Sequence, residues 1–238
     1  MLYYPDVRLP SQADLTVRGL LYWPNGSEGY LGYVGAGGTG NGKGTVIVFH
    51  GNAGTADDRD YYLLPLQMLG YRVILAEYPG YGGRRGELGE QPFVADAREI
   101  HRKAAEMYGG PVYLLGESLG CGVVAGVAKN EGLTIAGIIL ITPWNTLLAV
   151  ARDHYPYLPV GLFMKDRYDN GENLKGFRGR IAVVGAEQDE VVPVRHAREL
   201  FARLPEDKRM WIIEGVGHND WTLRMDMPKW QEIMDFVG

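Results

Sequence analysis

The sequence predicts an α/β fold built on a largely parallel sheet, and three observations carry that prediction. From Thr45 onward, short apolar runs alternate with longer helix-like segments, the rhythm of strands joined by crossover helices. The runs, such as Thr45–Phe49 and Gly137–Ile141, are continuously apolar rather than alternating, as in strands covered on both faces. One run, Val112–Leu115, stops at Gly116-Glu117-Ser118-Leu119-Gly120 and passes into another helix-like run. That pattern places a serine on a sharp strand-to-helix turn, where small flanking residues avoid collision with the neighbouring backbone.

In chain order, Asp14–Trp23 and Glu28–Val34 read as an antiparallel strand pair around the turn Pro24-Asn25-Gly26-Ser27, at a sheet edge. The glycine-rich stretch Gly35–Gly44 contains a G-x-G-x-x-G spacing at Gly35, Gly37 and Gly40 and a near phosphate-loop match at Gly37, Gly42 and Lys43. Both motifs need a helix N-terminus to hold an anion, and here a strand follows instead, so the stretch reads as a surface loop. Strand Thr45–Phe49 leads to helix Asp57–Leu69, strand Arg72–Glu77, helix Pro92–Tyr108, strand Val112–Leu115, helix Val123–Asn130 and strand Gly137–Ile141. After an excursion over 142–179 come strand Arg180–Gly185, helix Pro193–Leu204 with its proline in the favoured first turn, strand Met210–Glu214 and helix Met227–Phe236.

The 238 residues suit one domain, 1–238, with 46% hydrophobic residues to build a core. A net charge of −5 with both signs dispersed gives no basic stripe for nucleic acid. The single cysteine, Cys121, excludes an intramolecular disulfide and a cysteine-based zinc cluster. No apolar stretch reaches the roughly 18–20 residues of a membrane span, and no signal peptide is visible, so a cytoplasmic protein without a stable membrane span is expected.

A serine hydroxyl becomes a nucleophile when a base takes its proton and a carboxylate orients the base. Among five histidines, His218 stands out: it lies in Gly215-Val216-Gly217-His218, just beyond the last strand, where flanking glycines allow a tight loop. His101 reads as a solvated helix residue, His154 lies in the excursion, His196 near a helix start, and His50 precedes the serine. Three carboxylates compete for the orienting role after strand Arg180–Gly185: Glu187, Asp189 and Glu190. An oxyanion hole would use the N–H of Leu119, at the start of a helix, and that of Asn52 or alternatively Ala53 in the turn after the earlier strand.

HGNAG (50–54), EYPGYG (77–82), GESLG (116–120), GAEQDEVVP (185–193) and GVGHND (215–220) together resemble the α/β-hydrolase-fold serine hydrolases. They are most similar to the cap-poor branch that includes bud-emergence-type hydrolases and protein depalmitoylases. The resemblance implies a sheet of about eight mostly parallel strands, helices on both faces and a short cap. It assigns Asp189 the acid role beside Ser118 and His218, and implies cleavage of carboxylic esters or thioesters through an acyl-enzyme with no metal or organic cofactor. A peptidase or C–C hydrolase with the same triad, or a non-catalytic binding protein on the same fold, are the alternatives. The expected partner is a small-molecule or acylated substrate.

The excursion 142–179 would pass over the site as a short cap. Its aromatic and aliphatic run Tyr155–Met164 suits an acyl chain, packs on the core, or forms a membrane-surface patch. Tyr81, Leu119 and Trp144 are the expected pocket walls. Cys121 reads as a small packed residue rather than a thiol activated by the helix N-terminus, Arg84 and Arg85 as a solvated loop rather than a site for an anionic substrate group, and Asp166 and Asp169 as turn caps rather than catalytic residues.

Overall fold

The computed structural model describes residues 2–37, 42–129 and 132–238. Eight strands form the central sheet: β1 (Leu20–Trp23), β2 (Gly32–Gly35), β3 (Thr45–Phe49), β4 (Arg72–Ala76), β5 (Val112–Glu117), β6 (Gly137–Ile141), β7 (Arg180–Ala186) and β8 (Lys208–Ile213). Their order across the sheet is β8-β7-β6-β5-β3-β4-β2-β1. The six from β8 to β4 run parallel, and β2 and β1 add antiparallel at one edge. A further short parallel pairing joins Tyr4–Pro5 to Ala53–Gly54.

The helices are α1 (Gln12–Val17), α2 (Leu63–Met68), α3 (Glu90–Tyr108), α4 (Leu119–Ala128), α5 (Leu147–His154), α6 (Val160–Phe163), α7 (Asn170–Leu174), α8 (Arg195–Arg203) and α9 (Met227–Val237). Alternate residues of each central strand supply two cores. Ile47, Leu114, Ile138 and Val183 pack with α3, α4 and α8; Val48, Leu115, Ile139 and Val184 pack with α2 and α9. Two covered faces are the physical reason these strands are apolar along their interiors, with Thr45, Arg72 and Arg180 confined to strand starts.

The first expected strand is half helix. Ser11 caps α1 by accepting from Asp14 N–H while Asp14 Oδ2 accepts from Ser11 N–H, so the chain turns helical through Val17 and extends only from Leu20. The helix expected over 57–69 is also divided: Ala56–Tyr62 is a 3₁₀ stretch with non-helical torsions at Arg59, and α2 follows it. The helix after the serine starts four residues earlier than expected, at Leu119, and Asn130 at its expected end lies outside the described residues. So does Gly40, in the middle of the glycine-rich loop.

In the register between β3 and β5, Phe49 faces Gly116, and between β3 and β4 it faces Ala76. His50, Glu77 and Glu117-Ser118 therefore emerge side by side at the carboxyl ends of three adjacent strands. The strand order reverses here, which makes it the natural crevice of an open parallel sheet.

Candidate active site

Ser118 sits between β5 and α4 with φ 50° and ψ −112°, a conformation that costs a residue with a side chain on the order of 1–3 kcal/mol. Its surroundings hold it there: Ser118 N–H donates to Ile141 O at 2.9 Å. A Cβ at Gly116 would lie 2.5 Å from Gly120 O, and one at Gly120 only 1.9 Å from Phe49 O. The two glycines thus let the turn close on itself and let α4 press against β3. Cys121 is packed beneath this turn, its thiol donating to Gly116 O and Ile141 O, and burial pushes its pKa well up.

The loop after β8 brings His218 over the sheet. His218 Nε2 lies 3.0 Å from Ser118 Oγ, and Nδ1 lies 2.7 Å from Asp189 Oδ2. The other carboxylate oxygen of Asp189 accepts from Val191 N–H at 2.9 Å and Val192 N–H at 2.6 Å, and the side chain is 1% exposed. Glu187 turns away and accepts from Gly215 N–H at 2.9 Å, where φ is +68°, so it shapes the histidine loop. Glu190 is exposed. Ser118, His218 and Asp189 are thus brought together, and neither competing carboxylate touches the imidazole.

The loop His50–Gly54 runs beside the serine: a Cβ on Gly51 would be 3.7 Å from Ser118 Cβ. Asn52 N–H bonds to no described residue, and Leu119, as the first residue of α4, has no intrahelical acceptor. Beneath the loop is a buried pair that the sequence reading passed over. His50 Nε2 lies 2.9 Å from Glu77 Oε1, and His50 Nδ1 lies 2.8 Å from Gly51 O. Glu77 also accepts from Ala56 N–H and Tyr78 N–H. Two ionisable residues directly after neighbouring apolar strands were the signal, because such groups are buried only when paired.

Tyr81 does not wall the pocket. It is fully buried under the loop, donating to Asn52 O at 2.7 Å, while Tyr78 donates to His50 O at 2.8 Å. Burial raises the Tyr81 hydroxyl pKa to about 12. From the other side, Tyr4 N–H donates to Asn52 O and the Asn52 amide donates to Leu2 O.

A cleft of about 260 Å³ opens at Ser118. Leu119, Trp144, Leu147, Val150 and Val192 make its apolar side, and Arg59 and Glu117 its polar side. The Glu117 carboxylate accepts from Tyr61 (2.5 Å) and Tyr62 (2.7 Å) and lies 3.4 Å from Arg59 Nε. Arg59 and Glu117 were not singled out from sequence; Arg59 sits at the non-helical kink and also donates to Ala53 O at 3.1 Å.

Of the excursion run, Met164 packs on the core, whereas Tyr155, Tyr157, Leu158, Leu162 and Phe163 are exposed and neither line the cleft nor fill the core. Arg84 is not a loop residue free in solvent but a forked partner of Asp96. His101 is buried, not solvated, and contacts Thr134 O. Asp169 caps α7, and Asp166 accepts from Tyr3 OH and Glu90 N–H. Among the described residues, no cluster of three or more His, Cys, Asp or Glu could hold a metal, and no helix is long and apolar enough to cross a membrane.

Comparison with known proteins places this geometry among relatives. The family model described as serine aminopeptidase, S33, matches residues 40–155. An uncharacterized protein of Mycobacterium tuberculosis is 34% identical over 178 residues, covering 74% of this chain and 63% of the relative. The lysophosphatidylserine lipase ABHD12 of Gallus gallus is 30% identical over 175 residues, 66% of this chain and 46% of that protein. The chain therefore spans less than two thirds of the length of either. Among solved structures, the Pyrococcus furiosus esterase superposes with a TM-score of 0.68 at 14% identity, covering 100% of this chain and 97% of that one. The Paleococcus ferrophilus monoacylglycerol lipase gives 0.63 at 19% identity, covering 84% and 96%. At these identities the structural likeness speaks to the fold.

Proposed function

We propose that the chain is a serine hydrolase of the α/β-hydrolase fold, cleaving carboxylic esters or thioesters through an acyl-enzyme. The observation that carries the reading is the continuous relay from Asp189 Oδ2 through His218 to Ser118 Oγ, at 2.7 and 3.0 Å. Ser118 Oγ attacks the acyl carbonyl carbon while its proton passes to His218 Nε2. Asp189 keeps the Nδ1 proton in place and stabilises the imidazolium. The tetrahedral oxyanion is received by the N–H groups of Leu119 and Asn52, with Ala53 N–H as the alternative second donor. Collapse expels the alcohol or thiol, which takes the proton from Nε2. Water then gives a proton to Nε2 and attacks the acyl-enzyme, and release of the acid restores Ser118.

The apolar wall of Trp144, Leu147 and Val150 suits the acyl group. An aminopeptidase would need a free carboxylate for the substrate's amino group. Glu117, the carboxylate of the cleft wall, is already held by Arg59 and two tyrosines, which favours esters over peptides.

A fluorophosphonate probe should label the wild-type protein and leave Ser118→Ala unlabelled. Equal labelling of both, or none of either, would sink the assignment. A panel of p-nitrophenyl esters of rising chain length, acyl thioesters and peptide amides then reads the substrate class.

A further inference from the structure

The segment between the cleft and α7 carries an apolar face that none of the described residues covers. The helix α6 buries none of its residues. Leu162 is 82% exposed, Phe163 79%, Leu158 58% and Tyr157 97%. Large apolar side chains clustered at this exposure mark an interaction surface rather than ordinary surface scatter.

This face is continuous with the cleft. The run begins directly after His154, which lines the cleft mouth and contacts Val191 O at 2.8 Å across it. On α5, Leu147 and Val150 face the cleft while the residues just beyond its C-terminus face solvent.

The charges around the face are one-sided. Arg152, Lys165 and the Arg167 guanidinium are exposed and form no ion pair among the described residues. The nearby aspartates are committed: Asp153 to Arg195 and His196, Asp166 to Tyr3 and Glu90 N–H, Asp169 to the N-terminus of α7. Glu90 is likewise committed, its carboxylate accepting from Arg167 N–H and Tyr168 N–H, and Glu190 is exposed beside Val191 at the rim. On a chain of net charge −5, this is a local cationic collar around an apolar tip.

We propose that the segment from Tyr155 to Met164 docks the protein on an anionic lipid surface. Tyr157, Leu162 and Phe163 enter the headgroup region, and Arg152, Lys165 and Arg167 lie against anionic headgroups. The cleft mouth then opens toward the lipid, where an ester-bearing amphiphile can reach Ser118. A second copy of the chain fits the face less well. A two-fold interface would set the same cations against each other, and stable interfaces bury about 1,200–2,000 Å² of mixed surface. Docking stands independently of the hydrolase reading; only the delivery of substrate rests on it.

The test is co-sedimentation of the full chain with phosphatidylcholine vesicles, with and without phosphatidylglycerol, alongside turnover of soluble p-nitrophenyl acetate. Wild type should bind the anionic vesicles better, and binding should weaken with added salt. Leu162→Ser/Phe163→Ser should lower vesicle partitioning roughly tenfold or more, as two apolar anchors are lost. Arg152→Gln/Lys165→Gln should lower it by a similar factor on anionic vesicles only. Both variants change exposed residues and should hydrolyse the soluble ester as wild type does. Equal vesicle binding by wild type and the serine variant, or no preference for phosphatidylglycerol, overturns docking. A wild-type dimer in light scattering that becomes monomeric in the serine variant would overturn it in favour of a second copy. Absence of soluble-ester turnover in every protein would strike the hydrolase reading and leave the vesicle result to decide docking.

Discussion

Replacing Asp189 by Asn tests the relay at its most constrained point. One carboxylate oxygen accepts two backbone N–H groups, from Val191 and Val192, and the other faces His218 Nδ1. An asparagine must keep its carbonyl oxygen toward the two backbone donors, because its NH₂ would meet them donor against donor. The NH₂ is then aimed at His218 Nδ1, which can receive it only as a lone pair. The ring proton moves to Nε2, and the nitrogen 3.0 Å from Ser118 Oγ becomes a donor that cannot take the serine proton. Inverting the tautomer of a triad histidine costs about 10⁴ in kcat, or about 5.5 kcal/mol of transition-state stabilisation. The fold loses far less. Both backbone bonds persist, weakened from charge-assisted to neutral, a loss of about 1–2 kcal/mol and a Tm drop of roughly 2–8 °C. The assay is p-nitrophenyl ester turnover beside thermal unfolding, with the fluorophosphonate labelling rate falling in parallel. Glu187→Gln, which keeps an acceptor for Gly215 N–H, should stay within about threefold of wild type. If Asp189→Asn retains more than about a tenth of the activity while Glu187→Gln or Glu190→Gln loses it, the reasoning is wrong.

Two further outcomes follow from burial. Gly120→Ala should gain up to about 1 kcal/mol of helix propensity but must move α4 off β3, since the new Cβ falls 1.9 Å from Phe49 O; overpacking of about 1–3 kcal/mol or more wins, lowering Tm and ester turnover together, and an unchanged Tm would contradict the packing argument. Burial is the main cause holding the His101 imidazole below its ordinary value of 6.5. The folded protein therefore resists a proton that the unfolded chain takes up. Stability is full above about pH 6.5 and falls as pH drops through the lowered pKa, with a slope from this group of at most about 1.4 kcal/mol per pH unit. His101→Gln should flatten that slope in urea unfolding compared between about pH 7.5 and 5.5, and identical slopes would refute it.

The sheet was legible because burial on both faces leaves an unmistakable record: Val46–Phe49 of β3, Val112–Leu115 of β5 and Ile138–Ile141 of β6 are unbroken runs of buried apolar residues. The serine turn was legible for a related reason, since its glycines answer to steric contacts that any side chain would violate. What hid was one short local helix and whatever depends on two distant segments meeting. Ser11 and Asp14 close a local capping box, yet the apolar residues around Leu15 read equally well as a strand, and the period of six residues is too short to separate the two. Tyr81 looked like a pocket wall because aromatic residues in strand-end loops often are; its place under Asn52 depends on the path of a loop 29 residues away in sequence. The exposed tip of the cap was ambiguous for the opposite reason. Apolar composition states that a surface wants company, not whether the company is the core, a ligand or another phase.

The loop beside Ser118 shows why so much buried polarity gathers in one place. An N–H aimed at a developing oxyanion helps only if it is already fixed when charge appears, since reorganisation during the reaction would cancel the gain. Glycine-rich HGNAG has little intrinsic rigidity, so its shape must be imposed by neighbours. Tyr78 holds the carbonyl of His50, His50 contacts that of Gly51, and Tyr81 and Tyr4 N–H hold that of Asn52. Three successive carbonyls are thus bound. A peptide plane whose oxygen is fixed also has its N–H direction fixed for the following residue. Anchoring the carbonyls of Gly51 and Asn52 therefore sets the N–H groups of Asn52 and Ala53, the two candidates for the oxyanion donor. The Glu77–His50 pair, which does not line the cleft, is what makes the first of these anchors rigid.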